Sequence, residues 1–349
     1  MKQKFYIIVF LALVGNMAVY AGNPDRQGQA GASELLLNPW ARSGGLHQMS
    51  TSFVTGVEAM RINIAGLSRI KNGELAISNN RLYEGTGINY NGGGIAFKLG
   101  ASGALGIELA SLNFGDIPIT LVNQPAGTGG VFSPNFFQLA VGYSFTYANK
   151  ISVGMLFRGI SESIQAVSAF GFSIDAGVQY VSGPKDNFKL GISLRNVGSP
   201  MQFGGEGLTT RRPNPDPAGG VEYQLAYDAQ AASFELPSML NIGLSYDVYL
   251  SEENFVRGVT NFTSNAFSTD QIGAGLEFSY RNQFILRGGY KYDLNAADAN
   301  PNVFTGFAGG ATINVPFSES GAQELGIDYA YRTTNPFRGS HTITLRFGF

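Results

Sequence analysis

GSHTITLRFGF, at residues 339–349, gives the clearest indication of how this chain folds. Every second residue from 343 to 349 is large and apolar, whereas the residues between them are Thr344, Arg346 and Gly348. In an extended strand this alternation gives one apolar and one polar face. A strand of this kind that closes on an aromatic residue is typical of the last strand of an outer-membrane β-barrel. Because a sheet in lipid cannot leave an edge unpaired, we expect it to pair with the first strand.

The composition fits a barrel in lipid better than a soluble domain. Charged residues make up 14% of the 349 residues, which is about half the usual share for a soluble chain. The mean hydropathy is +0.01, which is low for a helical membrane protein but typical of strands that alternate apolar and polar residues. The 23 basic and 25 acidic residues nearly cancel. Nucleic acid is therefore not a predicted partner.

The residue types that catalysis and metal binding require are scarce. The chain has no Cys, which excludes disulfides, thiolate metal sites and Cys nucleophiles. Its two histidines, His47 and His341, have no serine nucleophile motif beside them. We therefore predict no enzymatic activity, no cofactor and no metal site.

One loop leaves an alternative open. Residues 293–302 hold five side chains with oxygen atoms, namely Asp293, Asn295, Asp298, Asn300 and Asn302. Such a set could bind calcium, but its spacing differs from that of an EF-hand loop. An Asx-rich turn explains the same residues.

The first 21 residues have the pattern of a secretory signal. Lys2 and Lys4 precede an apolar run at residues 5–14, and small residues flank Tyr20 before a predicted cleavage after Ala21. The alternative is a membrane anchor, but the run is shorter than the roughly 20 residues that a spanning helix needs. We divide the remainder into an N-terminal lead-in, residues 22–72, and a barrel, residues 73–349.

The barrel is predicted to be an all-β, antiparallel structure of about fourteen strands, exported to the outer membrane of a Gram-negative bacterium. The strands are expected at residues 73–81, 88–99, 104–115, 135–147, 150–161, 170–181, 187–197, 235–249, 254–262, 271–281, 283–293, 302–314, 322–333 and 339–349. Tyrosines cluster near the ends of these strands, as in the aromatic girdles of barrels. Short connections alternate with longer ones such as 116–134, 198–234 and 294–301. This alternation predicts periplasmic turns at one end and extracellular loops at the other.

Charged residues at positions opposite the apolar sets are predicted to face the lumen. They are Glu108, Arg158, Asp175, Lys189, Arg195, Asp247, Glu277, Arg287, Lys291, Asp328, Arg332 and Arg346. Such residues could line a pathway for a substrate or an ion, or they could pair and support a filled lumen. The glycines at 92–94 predict either a kink in the wall or the close approach of another backbone.

The lead-in carries two motifs, ASELLLNPWARSGGL at 32–46 and NIAGL at 63–67. The first resembles the opening signature of the PorV/PorQ family of outer-membrane barrels. The second resembles the Asn-Pro-Ala-Gly-Leu motif that this family shares with FadL-type barrels, with Ile64 in place of the proline. The residues that carry this plug motif are Leu35, Leu36, Arg42, Gly44, Gly45, Asn63, Gly66 and Leu67.

The resemblance implies a FadL-like barrel of fourteen strands whose N-terminal segment plugs the lumen. In the PorV/PorQ family it also implies partners from type IX protein secretion: exported proteins with C-terminal signal domains, translocon subunits and attachment subunits. FadL-type relatives instead move hydrophobic small molecules. The family resemblance, supported by the charged lumen and the long loops, favours a protein-binding barrel, with a transporter of hydrophobic ligands as the alternative. The partner-binding residues expected in the loops are Val131, Phe132, Met201, Phe203, Leu208, Arg211 and Arg212.

Overall fold

The computed structural model of the protein describes residues 26, 28–214, 223–294, 303, 305–317 and 323–349. The predicted signal at 1–21 lies outside the described residues. Residues 295–302 of the possible calcium loop also lie outside them. In the described part of the chain, no helix is long and apolar enough to cross a bilayer.

Fourteen antiparallel strands form a closed barrel, as the sequence predicts. In chain order they are β1 Gly73–Arg81, β2 Asn89–Leu99, β3 Gly103–Asn113, β4 Asn135–Tyr147, β5 Ile151–Ile164, β6 Val167–Ser182, β7 Phe188–Gly198, β8 Met239–Tyr249, β9 Phe255–Asn265, β10 Gln271–Tyr280, β11 Phe284–Asp293, β12 Gly306–Pro316, β13 Glu324–Arg332 and β14 Ser340–Gly348. The last strand pairs with the first from Glu74 opposite Gly348 to Arg81 opposite His341. The predicted closure is therefore confirmed.

The alternation of residue types sets which side chains face lipid. In β4, Phe137, Leu139, Val141, Tyr143 and Phe145 point outward and are exposed, whereas the residues between them are buried. The same outward apolar pattern continues around the wall. Since every strand finds a partner on both sides, the wall has no open edge, and its apolar belt can contact lipid. The chain is therefore a transmembrane β-barrel of the outer-membrane type.

The connections differ in length between the two ends of the barrel, although the contrast is weaker than predicted. The turn side carries the connections 100–102, 148–150, 183–187, 250–254, 281–283 and 317–323. The loop side carries the long segments 114–134 and 199–238, but also the two-residue link 165–166. This link is short because β5 and β6 extend beyond their predicted ends and continue pairing to Ile164 and Val167.

Short helical turns fold the lead-in against the inner surface of the wall. They comprise 3-10 turns at Ser33–Leu36 and Ile64–Arg69 and single α-helical turns, α1 Ala41–Gly44 and α2 Ala59–Ile62. Apolar side chains of this segment form a buried cluster with inward-facing Ala76, Ala96, Ala104, Ala140 and Leu156. The small wall residues leave space for the larger side chains of the lead-in.

The lead-in packs against Gly92 and Gly94, and the wall has no opening at these glycines. A Cβ at Gly94 would lie 2.5 Å from Val57 Cγ1, and one at Gly92 would lie 2.9 Å from Pro39 Cβ. Strand β2 nevertheless pairs with both neighbours along its length. Of the two interpretations that the sequence left open, the structure supports the close approach of another segment.

Candidate functional site

The wall has one irregularity on the loop side. Among the strand pairs that the structure describes, a register shift occurs only between β6 and β7, between Ile174 and Ala176. On β7 the consecutive residues Arg195 and Asn196 are both buried, and Asn196 has a left-handed φ of 58°. This is the geometry of a β-bulge, which interrupts the ladder of hydrogen bonds locally.

Polar side chains fill the space behind this bulge. Arg158 Nη1 lies 3.0 Å from Asp175 Oδ2, and the backbone N–H of Asn196 donates a 2.7 Å hydrogen bond to Asp175 Oδ1. Arg158 Nη2 also donates to the Met60 carbonyl at 3.2 Å, and Asn196 Nδ2 donates to the Pro237 carbonyl at 3.1 Å. The bulge is therefore tied both to the lead-in and to the loop above it.

An apolar cluster lies directly against the bulge. It contains Ala32, Leu35, Ile160, Ala169, Met201 and Leu236, with Phe203 and Phe234 at its edge. A Cβ at Gly198, beside the bulge, would lie 2.8 Å from Leu236 Cδ1. On the outer surface, Phe172 is 60% exposed and Val197 44% exposed. Apolar groups thus lie on both sides of the wall where its hydrogen bonding is interrupted.

A buried carboxyl group adjoins this cluster. Glu34, one residue before Leu35, is 2% exposed, and its carboxyl group lies beside that of Glu162. Burial, reinforced by the negative charge of Glu162 on β5, raises the pKa of Glu34 to about 8. The carboxyl group is consequently protonated at neutral pH.

A buried arginine anchors the middle of the lead-in. Arg61 donates to Gln138 Oε1 at 2.9 Å and to the Tyr90 hydroxyl at 2.7 Å, and its Nε lies 3.6 Å from Glu108 Oε1. The indole of Trp40 donates to the same Glu108 oxygen at 3.0 Å. Sequence reasoning identified Glu108 as facing inward but missed Arg61, because its partners lie on three separate strands.

Many of the predicted lumen charges form ion pairs. On the turn side, Asp247 contacts Lys189 and Arg257, and Glu277 contacts Arg257 and Arg287. Elsewhere Asp328 pairs with Arg346 at 2.6 Å. The turn-side network lines a cavity of about 380 Å³ below the lead-in. In the described residues, no group of three or more His, Asp or Glu side chains could hold a metal ion.

The residues of the plug motif make specific contacts. Within the lead-in, Arg42 Nε donates to Glu58 Oε2 at 2.9 Å. Asn63 Nδ2 bridges to the wall at the Val178 carbonyl, 3.1 Å away. A Cβ at Gly66 would lie 1.9 Å from a carbonyl oxygen of the lead-in itself. The others are also packed: Leu35 and Leu67 are fully buried, Leu36 is half-buried, and Gly44 and Gly45 face β12 to β14.

The expected partner-binding residues do not form one surface. Val131 is 56% exposed, Phe132 and Leu208 are half-buried, and Arg211 and Arg212 are exposed on a separate ribbon formed by Thr209–Pro213 and Gln224–Asp228. Phe203 is half-buried and packs on the apolar cluster. Met201 is fully buried. Met201 therefore cannot contact a docked protein, because it belongs to the core beneath the loop.

The architecture is similar to that of solved outer-membrane barrels. It matches the toluene transporter TodX of Pseudomonas putida with a TM-score of 0.56 at 13% identity, covering 89% of this chain and 97% of that one. The toluene transporter TbuX of Ralstonia pickettii gives 0.55 at 12% identity, with 90% and 98% covered. A FadL homologue of Pseudomonas aeruginosa gives 0.52 at 12% identity, with 89% and 98% covered. No family model and no curated protein matches the sequence.

Proposed function

We propose that this barrel passes small hydrophobic molecules across the outer membrane, through the apolar cluster at Leu35, Met201 and Leu236 and the adjoining wall bulge. The observation that supports the proposal most is the coincidence of two features: the register shift lies where a buried apolar cluster contacts the wall. A hydrophobic ligand gains roughly 25 cal/mol per Å² of apolar surface that it removes from water. The cluster is therefore a suitable first binding place on the loop side.

Because of the lead-in, a ligand can pass laterally through the wall more easily than along the barrel axis. Its buried residues are bonded to strands around the wall, so movement along the axis would require most of these contacts to break. Movement through the bulge requires mainly a shift of Arg158, Asp175 and Asn196. These three side chains would act as the gate, since their hydrogen bonds substitute for the interrupted ladder.

Uptake of labelled toluene by outer-membrane vesicles would test the proposal. Toluene is a reasonable first probe because two structural neighbours are described as toluene transporters. Leu236→Gln places an amide in the cluster and should lower uptake several-fold. Val131→Gln makes the same kind of change at an exposed position in the loop 114–134 and should leave uptake unchanged. Wild-type uptake equal to that of vesicles without the barrel would contradict the proposal.

Protein binding in type IX secretion is the second candidate function. It is supported by the resemblance of the lead-in motifs and by the exposed ribbon that carries Arg211 and Arg212. Charged and aromatic groups on such a ribbon, including Tyr227, could contact an exported protein or an attachment subunit. Co-purification in mild detergent should then recover secreted proteins with the wild type and fewer with Arg211→Ala/Arg212→Ala. Recovery of bound hydrocarbon without any protein would favour transport.

A further inference from the structure

A second polar cavity lies on the loop side, between the lead-in and the wall. Its volume is about 40 Å³. The lead-in contributes Leu36, His47 and Gln48 to its lining, and the wall contributes residues from β7 to β11 and β13. Gln48 Nε2 donates to the Leu36 carbonyl at 3.1 Å, which holds this edge of the lead-in together.

Three cationic side chains converge on this cavity. Arg195 from β7, Lys291 from β11 and Arg332 from β13 all line it, and they are 3%, 7% and 4% exposed. None of the described residues in the lining is acidic. The nearby carboxylate of Asp293 accepts a hydrogen bond from Gln271 Nε2 at 2.8 Å, and Asp270 accepts one from the backbone N–H of Asn265 at 2.9 Å.

Buried donors in the lining also lack partners among the described residues. They are Arg195 Nε and Asn241 Nδ2; His47 Nε2 is a third nitrogen of the lining without a partner there, and all three atoms are shielded from solvent. A buried N–H donor without a partner is costly, so native structures supply a water, an ion or another acceptor at such places. Arg195 Nε and Asn241 Nδ2 are both N–H donors, and each therefore needs an acceptor.

The imidazole of His47 contributes no positive charge. Burial, followed by the charges of Arg332 and Lys291, holds the pKa of His47 far below its ordinary value. The local charge is thus carried by the arginines and the lysine. The same neighbours that keep this ring neutral make an anion favourable in the cavity.

The size of the cavity limits what it can hold. A water molecule needs roughly 10 to 15 Å³ of such volume, so about 40 Å³ accommodates a few waters or one small ion, but no organic ligand. We propose that this cavity binds one small inorganic anion of the size of chloride, coordinated by Lys291, Arg195 and the Asn241 amide. The anion links the lead-in to the wall, and the proposal is independent of the transported molecule.

Bromide is the probe that locates the anion directly. Crystals of the full chain grown in sodium bromide should show an anomalous scattering peak between Lys291 Nζ and Arg195. Water alone at this position, or the headgroup of a longer amphipathic molecule, would overturn the proposal.

Thermal unfolding in detergent tests whether the anion stabilises the protein. At constant ionic strength, exchanging sodium gluconate for sodium chloride should raise the Tm of the wild type saturably. Lys291→Met should lose this dependence, and Lys291→Gln is the second variant if the first does not fold. Lys98→Met, which removes an inward lysine that contacts the Ser68 carbonyl elsewhere in the lumen, should keep it. A chloride response that persists in both Lys291 variants would overturn the assignment.

Discussion

Replacing Arg61 with Met should loosen the lead-in without opening the barrel. The guanidinium is completely buried, donates to Gln138 and Tyr90, and lies 3.6 Å from the Glu108 carboxylate. Removing one partner of a buried ion pair costs about 3 to 5 kcal/mol, since the remaining charge is left without compensation. Because Glu108 keeps the hydrogen bond from Trp40, its charge is still partly compensated, and a value near the lower end, about 3 kcal/mol, is expected.

Hydrogen exchange of the folded protein in detergent measures this change. A loss of about 3 kcal/mol accelerates exchange of amides in α2 and the following 3-10 turn by about two orders of magnitude. Amides of the barrel strands should not change. Arg212→Met, on the exposed ribbon, is the matched control. Arg61→Met/Glu108→Gln should recover part of the protection, because both charges are then absent.

Exchange in the lead-in that is equal in Arg61→Met and wild type, with the barrel intact, would refute this reasoning. It would mean that the apolar cluster around Leu67 and Ile64 alone retains the segment. A uniform acceleration over all strands would also refute it, because the ion pair would then stabilise the barrel itself and not the attachment of the lead-in.

Three further predictions concern the same segment. Deleting residues 28–56 should raise single-channel conductance in planar bilayers, and an unchanged conductance would show that other groups close the pore. Burial and the charge of Glu162 raise the pKa of Glu34 to about 8. The lead-in is therefore held most strongly below pH 4.5, and the free energy that holds it falls by about 1.4 kcal/mol per pH unit up to pH 8. Proteolysis of the lead-in near Glu34 should accelerate with pH in the wild type but not in Glu34→Gln. Gly66→Ala should lower Tm by several degrees, since its Cβ would lie 1.9 Å from the Val54 carbonyl oxygen.

The position of the bulge is visible in the sequence as a change in the alternation of apolar residues, which the strand prediction did not use. In β7 the outward apolar residues fall at even positions up to Leu194, and the next falls at Val197. This change of phase requires one extra residue on the strand, which is the definition of a bulge. A strict period of two therefore predicted the strand correctly but not the place where its pairing shifts.

The lumen was harder to predict than the wall. Inward charges identified from alternation are indeed inward, and several pair with each other. Their number favoured a polar interior over a continuous apolar path for a ligand. The structure instead has a buried apolar cluster inside the barrel, because the small residues of β1 to β4 leave room for the large side chains of the lead-in. Nothing in the spacing of Ala76 or Ala140 indicates which distant side chain will cover them.

The fourteen strands, their closure and the outward apolar belt can be predicted from the residues alone, since alternation with a period of two is a local property that lipid on one side of the wall imposes. Which residues meet inside the barrel depends on tertiary packing. Trp40 and Glu108 are 68 positions apart, and Arg61 and Gln138 are 77 apart. The bulge likewise unites Arg158, Asp175 and Asn196 from three strands. Such contacts follow from how the lead-in packs within the barrel, and packing between distant segments has no period in the sequence.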